Sequence, residues 1–243
     1  MKIWAHRGCS QCYPENTLTS FTKAAELKEL TGIEFDVQLT KDGEIVVIHD
    51  ERVDRTTDGV GLVRDFTLKE IRQLAIYTGS EKIERIPTLK DVLDLLSGRF
   101  KRDNEFKINI ELKNSIYYYK GLEAKTINLV ASAGCADRVV YSSFYTKSAV
   151  KVRELLPTAD IAILGSWVSD CLYKAKGLSV KSLHPNWQHI DLTAEELNGY
   201  TVRAYFGGHL FPEKPTGGRL DLAALEAKGI TDVMINEPEA YIG

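Results

Sequence analysis

Residues 33–49 of this 243-residue chain read IEFDVQLTKDGEIVVIH. Two runs rich in β-branched and aromatic residues, 33–39 and 45–49, are separated by only the five residues 40–44. A connection this short has room for a hairpin-type turn but not for the helix that joins two parallel strands. One of the two strands is therefore predicted to lie antiparallel to the other.

The hairpin strand is one of nine β-rich runs along the chain. They cover residues 2–6, 33–39, 45–49, 107–112, 138–142, 159–164, 180–183, 200–206 and 231–236. Most of the gaps between them carry a helix-like pattern, and several of these patterns begin with a capping signature. The signatures are Thr67-x-x-Glu70, Thr88-x-x-Asp91 and Thr193-x-x-Glu196. Alternating strands and helices predict a parallel sheet.

Without the antiparallel hairpin strand, eight strands remain, which is the number that closes a (β/α)8 TIM barrel of about 250 residues. We predict this α/β fold in preference to an open doubly wound sheet. Residues 51–106 are longer than one crossover needs, so we expect a small insertion there, after the strand that ends at His49. No linker or repeat divides the chain, which predicts a single domain over residues 1–243.

The composition excludes several classes of protein. Lys and Arg number 31 and Asp and Glu number 34, so the formal net charge is −3. This balance disfavours a basic groove for nucleic acid and a polybasic membrane-binding face. No apolar run approaches the roughly 18 to 20 residues that span a bilayer, and the first seven residues become polar too early for a signal peptide. We therefore expect no transmembrane segment and a cytoplasmic protein of undetermined oligomeric state.

Three carboxylates are predicted to face the inside of the barrel. Within the run 33–39, Glu34 and Asp36 alternate with apolar residues, so both carboxylates lie on one face of the strand. The run 107–112 repeats this pattern, with Glu111 on the face opposite to the isoleucines. Three acids are thereby predicted to share one lumen.

Two explanations account for three acids in one lumen. A hard cation such as Ca²⁺ or Mg²⁺ between them would turn repelling carboxylates into ligands. Alternatively, the acids form a buried salt-bridge network with Arg7 and Lys113. The pattern of residues does not separate these two explanations.

Two histidines lie at predicted strand ends, His6 after the first strand and His49 after the hairpin strand. Barrel enzymes place their chemistry at the carboxyl ends of the strands. A lone histidine is more often structural, but paired imidazoles beside a cation suit general acid and base catalysis near neutral pH. Arg7 offers a planar fork for a phosphate. Asp50 either orients His49 or begins the insertion.

Several spaced motifs resemble those of the glycerophosphodiester phosphodiesterase family. They cover the first half of the chain densely and in the order that the family shows. The motifs are His6-Arg7-Gly8, Pro14-Glu15-Asn16-Thr17, Glu34-x-Asp36-Val37, Thr40-x-Asp42-Gly43, His49-Asp50, Arg55-Thr56-Thr57-x-Gly59-x-Gly61, Ile86-Pro87-Thr88-Leu89 and Glu111-Leu112-Lys113.

This resemblance implies a barrel enzyme that hydrolyses glycerophosphodiesters to glycerol 3-phosphate and an alcohol, with one divalent cation, Ca²⁺ or Mg²⁺ and alternatively Mn²⁺. The positions that match the family are Glu34, Asp36 and Glu111 for the metal, His6 and His49 for the acid–base pair, and Arg7 for the phosphate. Lys113, next to a metal-ligand position, would be placed to contact the phosphate or the glycerol hydroxyls.

The second half of the chain matches the family less closely. Tyr205 is expected to keep an aromatic wall for the substrate at strand eight. Trp187 follows the strand at 180–183, where it either lines the leaving-group pocket or packs under the next helix. The stretch 207–218 is expected to be a loop that shapes specificity. Residues 234–238 replace the family's usual Thr-Asp before proline, so the headgroup is not predicted.

Four further residues receive modest roles. Glu15 and Asn16 precede an amphipathic stretch, so we expect them to cap a helix and shape a loop. Cys9 and Cys12 have the spacing of a redox or zinc motif, but no second pair of ligands accompanies them. We interpret them as ordinary reduced thiols.

Three competing functions have distinct requirements. A lysophospholipase D would need an exposed apolar patch or groove near the barrel mouth. A noncatalytic phosphate-binding barrel would be expected to lack a catalytic histidine or a metal carboxylate. A zinc or binuclear hydrolase would need clustered histidines, whereas the five histidines here are scattered.

Overall fold

The computed structural model describes residues 1–79, 82–213 and 218–242 of the chain. Within these residues the strands are β1 (Lys2–His6), β2 (Gly32–Leu39), β3 (Ile45–Val47), β4 (Ile76–Tyr77), β5 (Ile83–Glu84), β6 (Lys107–Leu112), β7 (Val139–Ser143), β8 (Asp160–Gly165), β9 (Ser182–Pro185), β10 (Thr201–Tyr205) and β11 (Asp232–Ile235). The helices are α1 (Leu18–Glu26), α2 (Leu68–Ile71), α3 (Leu89–Arg102), α4 (Leu122–Ser132), α5 (Thr146–Leu155), α6 (Val168–Leu178) and α7 (Leu222–Ala227). None of these helices is long and apolar enough to cross a membrane.

Eight strands close a parallel barrel in the order β1, β2, β6, β7, β8, β9, β10 and β11, and β11 pairs back onto β1. β3 lies outside this ring and pairs antiparallel with β2, with Val47 opposite Val37. Each of the nine predicted strands is present, with ends no more than two residues from those predicted. The TIM barrel and its antiparallel extra strand are therefore confirmed.

The predicted capping signatures form, but one of them begins no helix. Thr67 and Thr88 each accept a hydrogen bond from the backbone three residues later and begin α2 and α3. Thr193 makes the same reciprocal contacts with Glu196. The chain nevertheless forms only turns there, because Gly199 adopts a φ of +82° before a second helical turn can follow.

The insertion has a hydrophobic core of its own. Apolar residues between Val46 and Ile86 form a cluster separate from the main core. By contrast, α3 packs with the main core through residues such as Leu93 and Leu96. The added structure is thus shorter than the predicted range 51–106, since α3 is one of the helices around the barrel.

A polar layer fills the barrel below the strand ends. Asp232 accepts hydrogen bonds from Trp4 Nε1 at 2.9 Å and from Arg203 at 3.2 Å. The Arg203 guanidinium lies 3.8 Å from the centre of a Trp4 ring, and its Nη1 is 3.1 Å from His184 Nε2. This buried charge is therefore paired and stacked, which limits the cost of its desolvation.

Candidate active site

Strand pairing brings the predicted site residues together at the carboxyl ends of β1, β2 and β6. His6, the last residue of β1, lies opposite Glu34 in β2. Asp36, two residues further along β2, lies opposite Glu111 in β6. Because side chains alternate along a strand, these residues share one face of the sheet.

The three acids form one buried cluster. Oxygen atoms of Glu34, Asp36 and Glu111 all lie within 4.8 Å of one another. Lys113 Nζ is 3.1 Å from Glu111 Oε1 and 3.9 Å from Asp36 Oδ1. Arg7 Nε is 3.7 Å from Asp36 Oδ2. The acidic cluster and the salt-bridge network, which were alternatives on sequence alone, therefore occupy the same place.

The acids differ in how readily they hold a proton. Burial, with the neighbouring charge of Asp36, raises the pKa of Glu34 well above its usual range. Burial also raises the pKa of Glu111, although Lys113 opposes this. For Asp36, burial opposes ionisation, but interactions with His49, Arg7 and Lys113 outweigh it and hold the pKa below its usual range. One carboxylate of the cluster is thus held ionised, while two bind protons readily.

Unpaired oxygen atoms make this cluster suitable for a hard cation. Asp36 Oδ1 and Asn16 Oδ1 are buried and accept no hydrogen bond. Asn16 is held in place because its Nδ2 donates to Asp36 Oδ2 at 3.0 Å. Carboxylate and amide oxygens are ligands that Ca²⁺ and Mg²⁺ prefer, whereas zinc favours nitrogen and sulfur. The residues present therefore fit one such cation.

Glu15 positions Arg7 rather than capping a helix. The cap of α1 is Thr17. Glu15 Oε1 accepts hydrogen bonds from Arg7 Nη1 at 2.8 Å and from Arg55 Nη2 at 2.9 Å. The sequence pattern did not predict these contacts, because Arg55 lies on the insertion, 40 residues along the chain from Glu15.

His6 is held by an asparagine from the last strand of the barrel. Its Nδ1 lies 2.7 Å from Asn236 Oδ1. Since Asn236 Nδ2 donates to the backbone carbonyl of His209, the asparagine oxygen faces His6 and the hydrogen lies on Nδ1. His6 Nε2 lies 3.8 Å from Glu34 Oε2. Burial, reinforced by Arg7, lowers the pKa of His6 to about 3, so the ring is neutral at pH 7.

His49 lies two residues beyond β3, in a segment that Gln38 holds. Gln38 Nε2 lies within 3.2 Å of the carbonyl oxygens of residues 48–50. His49 Nδ1 is 2.7 Å from Asp50 Oδ1, and Arg55 donates to the same carboxylate. Asp50 therefore orients His49, which is the first of the two roles that the sequence left open for it. Gln38 was not predicted to take part.

Two cavities share Arg7 and His49 in their walls. The inner cavity of about 130 Å³ lies over the acidic cluster and also contacts His6, Phe144 and Tyr205. The outer groove of about 580 Å³ runs between the insertion and the segment 207–213. Residues 214–217 of the predicted loop 207–218, Lys214 among them, lie outside the described part of the chain.

The two predicted aromatic residues differ in position. Tyr205 lines the inner cavity, with its ring 6.2 Å from that of Phe144. Trp187 instead stacks on Phe206, 5.0 Å between ring centres, and packs against the main core. Its backbone N–H donates to the Tyr205 carbonyl. Among the described residues Trp187 does not line either cavity, and its contacts are with Phe206 and the main core.

The cysteines remain thiols. Cys9 is buried, Cys12 is exposed, and neither forms a disulfide. Burial raises the pKa of both thiols, that of Cys12 to about 11, so they are protonated at neutral pH. Among the residues that the structure describes, the acidic cluster is the only group of three that could hold a metal ion, and it contains no cysteine.

The sequence of this chain is similar to those of known proteins. The family model of the glycerophosphoryl diester phosphodiesterase family matches residues 6–204. A glycerophosphodiester phosphodiesterase of Caldanaerobacter subterraneus subsp. tengcongensis is 39% identical over 99% of this chain and 96% of that protein. Another, from Bacillus altitudinis, is 40% identical over 80% of this chain and 79% of its own length.

Solved structures of phosphodiesterases share the fold of this chain. A phosphodiesterase of Oleispira antarctica, in complex with the product sn-glycerol-3-phosphate, superposes with a TM-score of 0.80 and 25% identity over 99% of this chain and 94% of that one. The structure of a glycerophosphodiester phosphodiesterase from Thermotoga maritima, at 23% identity and a TM-score of 0.72 over 98% of this chain and 96% of that one, supports the fold. The chain belongs to the glycerophosphoryl diester phosphodiesterase family of hydrolases.

Proposed function

We propose that this enzyme hydrolyses glycerophosphodiesters to glycerol 3-phosphate and an alcohol, with one divalent cation and two histidines. The observation that carries the proposal is that His6 and His49 line the inner cavity together with Glu34 and Glu111 of the acidic cluster. A noncatalytic binder would not require both histidines to be oriented by a partner of their own.

Glu34, Asp36 and Glu111 would hold the cation, which we propose to be Ca²⁺ or Mg²⁺, with Mn²⁺ as the alternative. When bound, the cation supplies a Lewis acid that withdraws charge from the phosphate. With all three carboxylates ionised, as cation binding requires, they and the cationic Arg7 and Lys113 together carry one formal negative charge. A divalent cation and a singly charged phosphodiester would together bring this site to neutrality.

Arg7 and Lys113 are proposed to bind the substrate. Arg7 is fixed by Glu15 and can direct its remaining N–H groups at a phosphate oxygen. Lys113 Nζ, beside Glu111, faces either the phosphate or the glycerol hydroxyls. Tyr205 closes the inner cavity and would pack against the carbon atoms of the glycerol.

The two histidines are proposed to have different roles because both line the inner cavity but only His49 also lines the outer groove. His6 lines only the inner cavity, and its Nε2 carries the lone pair, so it is placed to take a proton from the attacking oxygen. His49 lines both cavities and is supported by the carboxylate of Asp50. It is placed to give a proton to the departing alcohol as the P–O bond breaks.

The attacking oxygen is either water or a glycerol hydroxyl. Water would give glycerol 3-phosphate in one displacement. A glycerol hydroxyl would first form a cyclic phosphate, which water then opens with the two histidines acting in reverse. In the step that releases the alcohol, His6 accepts a proton from the attacking oxygen and His49 donates one to the alcohol. This holds in both routes.

Release of glycerol 3-phosphate from a small panel of glycerophosphodiesters tests the proposal. The assay is run with metal, with a chelator, and with the chelator followed by excess Ca²⁺ or Mg²⁺. We expect the chelator to stop release and the added cation to restore it. Glu111→Gln should abolish activity, whereas Glu29→Gln, at an exposed position outside the site, should not. Release that continues in chelator and in Glu111→Gln would contradict the role of the cation.

A further inference from the structure

The outer groove has a wall of apolar side chains next to the catalytic residues. Tyr77 and Ile76 of β4 line it on the insertion side, and Leu210, Phe211 and Pro212 line it on the other. The Phe211 ring lies so close to Gly79 that a Cβ at this glycine would be 3.0 Å from it. The insertion and the segment 207–213 therefore approach each other at this groove.

Apart from the exposed Glu213, the charged side chains in the described wall of the groove are already paired with one another. Glu15 binds Arg7 and Arg55, Asp50 binds Arg55 and His49, and Glu213 lies 3.3 Å from His209. A ligand that carries its own charge would have to compete with these pairs. An uncharged, apolar ligand would instead bury the exposed wall, of which Tyr77 is 71% exposed.

The two cavities are suited to different parts of a substrate. The inner cavity is small, about 130 Å³ against about 580 Å³ for the outer groove, so of the two it suits the compact glycerol moiety. The outer groove of about 580 Å³ lies within the range of about 300 to 1,000 Å³ found for binding sites of much larger molecules. His49, placed to protonate the leaving alcohol, stands where they meet.

We propose that the outer groove binds the leaving alcohol, and that the preferred alcohol is uncharged, apolar and chain-like. This inference rests on the proposed hydrolysis of glycerophosphodiesters and adds the class of alcohol to it. It places the apolar chain on the alcohol side of the phosphate, whereas a lysophospholipase D would need room for that chain on the glycerol side.

The test compares the methyl, butyl and octyl esters of sn-glycerol 3-phosphate, with an ester of 8-hydroxyoctanoate as the charged counterpart of the octyl ester. These alcohols have similar leaving-group chemistry and differ in length and charge. We expect kcat/KM for the octyl ester to exceed that for the methyl ester by at least 30-fold, and the terminal carboxylate to remove most of this gain.

Variants then locate the effect. Phe211→Ala and Tyr77→Ala should each lower the octyl-to-methyl ratio of kcat/KM by about tenfold, and Tyr77→Trp should restore it. The matched control is Tyr173→Ala, an aromatic residue of α6 that is 82% exposed and outside the groove, which should leave the ratio unchanged.

Two results would overturn the inference. If the parent hydrolyses the methyl and octyl esters equally well, or if neither groove variant changes their ratio, the alcohol does not occupy this groove, although the proposed hydrolysis stands. If the folded, cation-loaded parent releases glycerol 3-phosphate from none of the esters nor from glycerophosphocholine, the proposed function fails and this inference fails with it.

Discussion

Adding Ca²⁺ to the metal-free protein at pH 7.5 is expected to raise its melting temperature. When both are ionised, two carboxylates of the cluster with oxygens about 4.8 Å apart repel by about 3 to 4 kcal/mol at an effective dielectric constant of about 20, and in the metal-free protein protons on Glu34 and Glu111 relieve part of this repulsion. Lys113 and Arg7 offset part of this, so we expect the metal-free protein to fold and the cation to stabilise it further.

The size of the shift follows from binding linkage. At a Ca²⁺ concentration about 100 times Kd, the folded state gains about 2.7 kcal/mol. For 243 residues, an unfolding entropy of about 2.1 cal/mol/K per residue amounts to about 0.5 kcal/mol/K, so the melting temperature should rise by about 5 °C.

The shift should grow with pH. Because burial raises the pKa of Glu34 and Glu111, the metal-free folded state holds protons there that the unfolded chain releases. The protons on Glu34 and Glu111 therefore stabilise the metal-free folded state at low pH. This contribution to the free energy of unfolding is lost as the pH rises through the raised pKa values of the two groups. Ca²⁺ competes with the same protons, so its stabilising effect should be smaller at pH 5 than at pH 7.5.

Differential scanning fluorimetry with chelator, Ca²⁺, Mg²⁺ or Mn²⁺ measures the shift. Asp36→Asn should lose most of it, while the exposed Glu29→Gln keeps it in full. Equal shifts in the parent and in Asp36→Asn, or no shift with any of the three cations, would refute the assignment of the cluster as the cation site.

Three other predictions concern the histidines and the barrel interior. His49→Ala should lower kcat by about 10²- to 10⁴-fold, measured as glycerol 3-phosphate release, whereas His189→Ala, outside both cavities, should change it less than twofold. Asn236→Asp gives His6 an anionic partner and should raise its pKa from about 3, so the acid limb of the kcat/KM profile should move to higher pH; an unmoved limb would argue against His6 as the base. Asp232→Ala leaves a buried guanidinium unpaired and should lower the free energy of unfolding by about 3 to 5 kcal/mol, measured by urea denaturation.

Short-range patterns in the sequence were enough to predict the architecture. The alternation of β-rich and helix-like segments predicted all nine strands, and the five-residue gap at 40–44 predicted that one of the two strands beside it is an antiparallel addition to the barrel. The period of two placed Glu34, Asp36 and Glu111 on inward faces, since side-chain direction along a strand is a local property. The motifs then indicated the family, which the comparisons showed.

The neighbours of the candidate site residues could not be predicted in this way. Asn236 contacts His6 across 230 residues of sequence, and Arg55 contacts Glu15 across 40. Such pairs arise because the barrel closes β11 onto β1 and because the insertion folds back over the strand ends. The position of Trp187 could not be predicted for the same reason. Whether it lines a pocket or packs against the core depends on how the chain folds after β9.

Local periodicity and turn length thus determined the strand count, the barrel and the faces on which the acids lie, because each depends on residues a few positions apart. The partners of His6 and His49, the joint acidic and basic cluster, and the division into a small inner cavity and a large apolar groove arose only in the folded chain, because closure of the barrel brings distant segments to one rim.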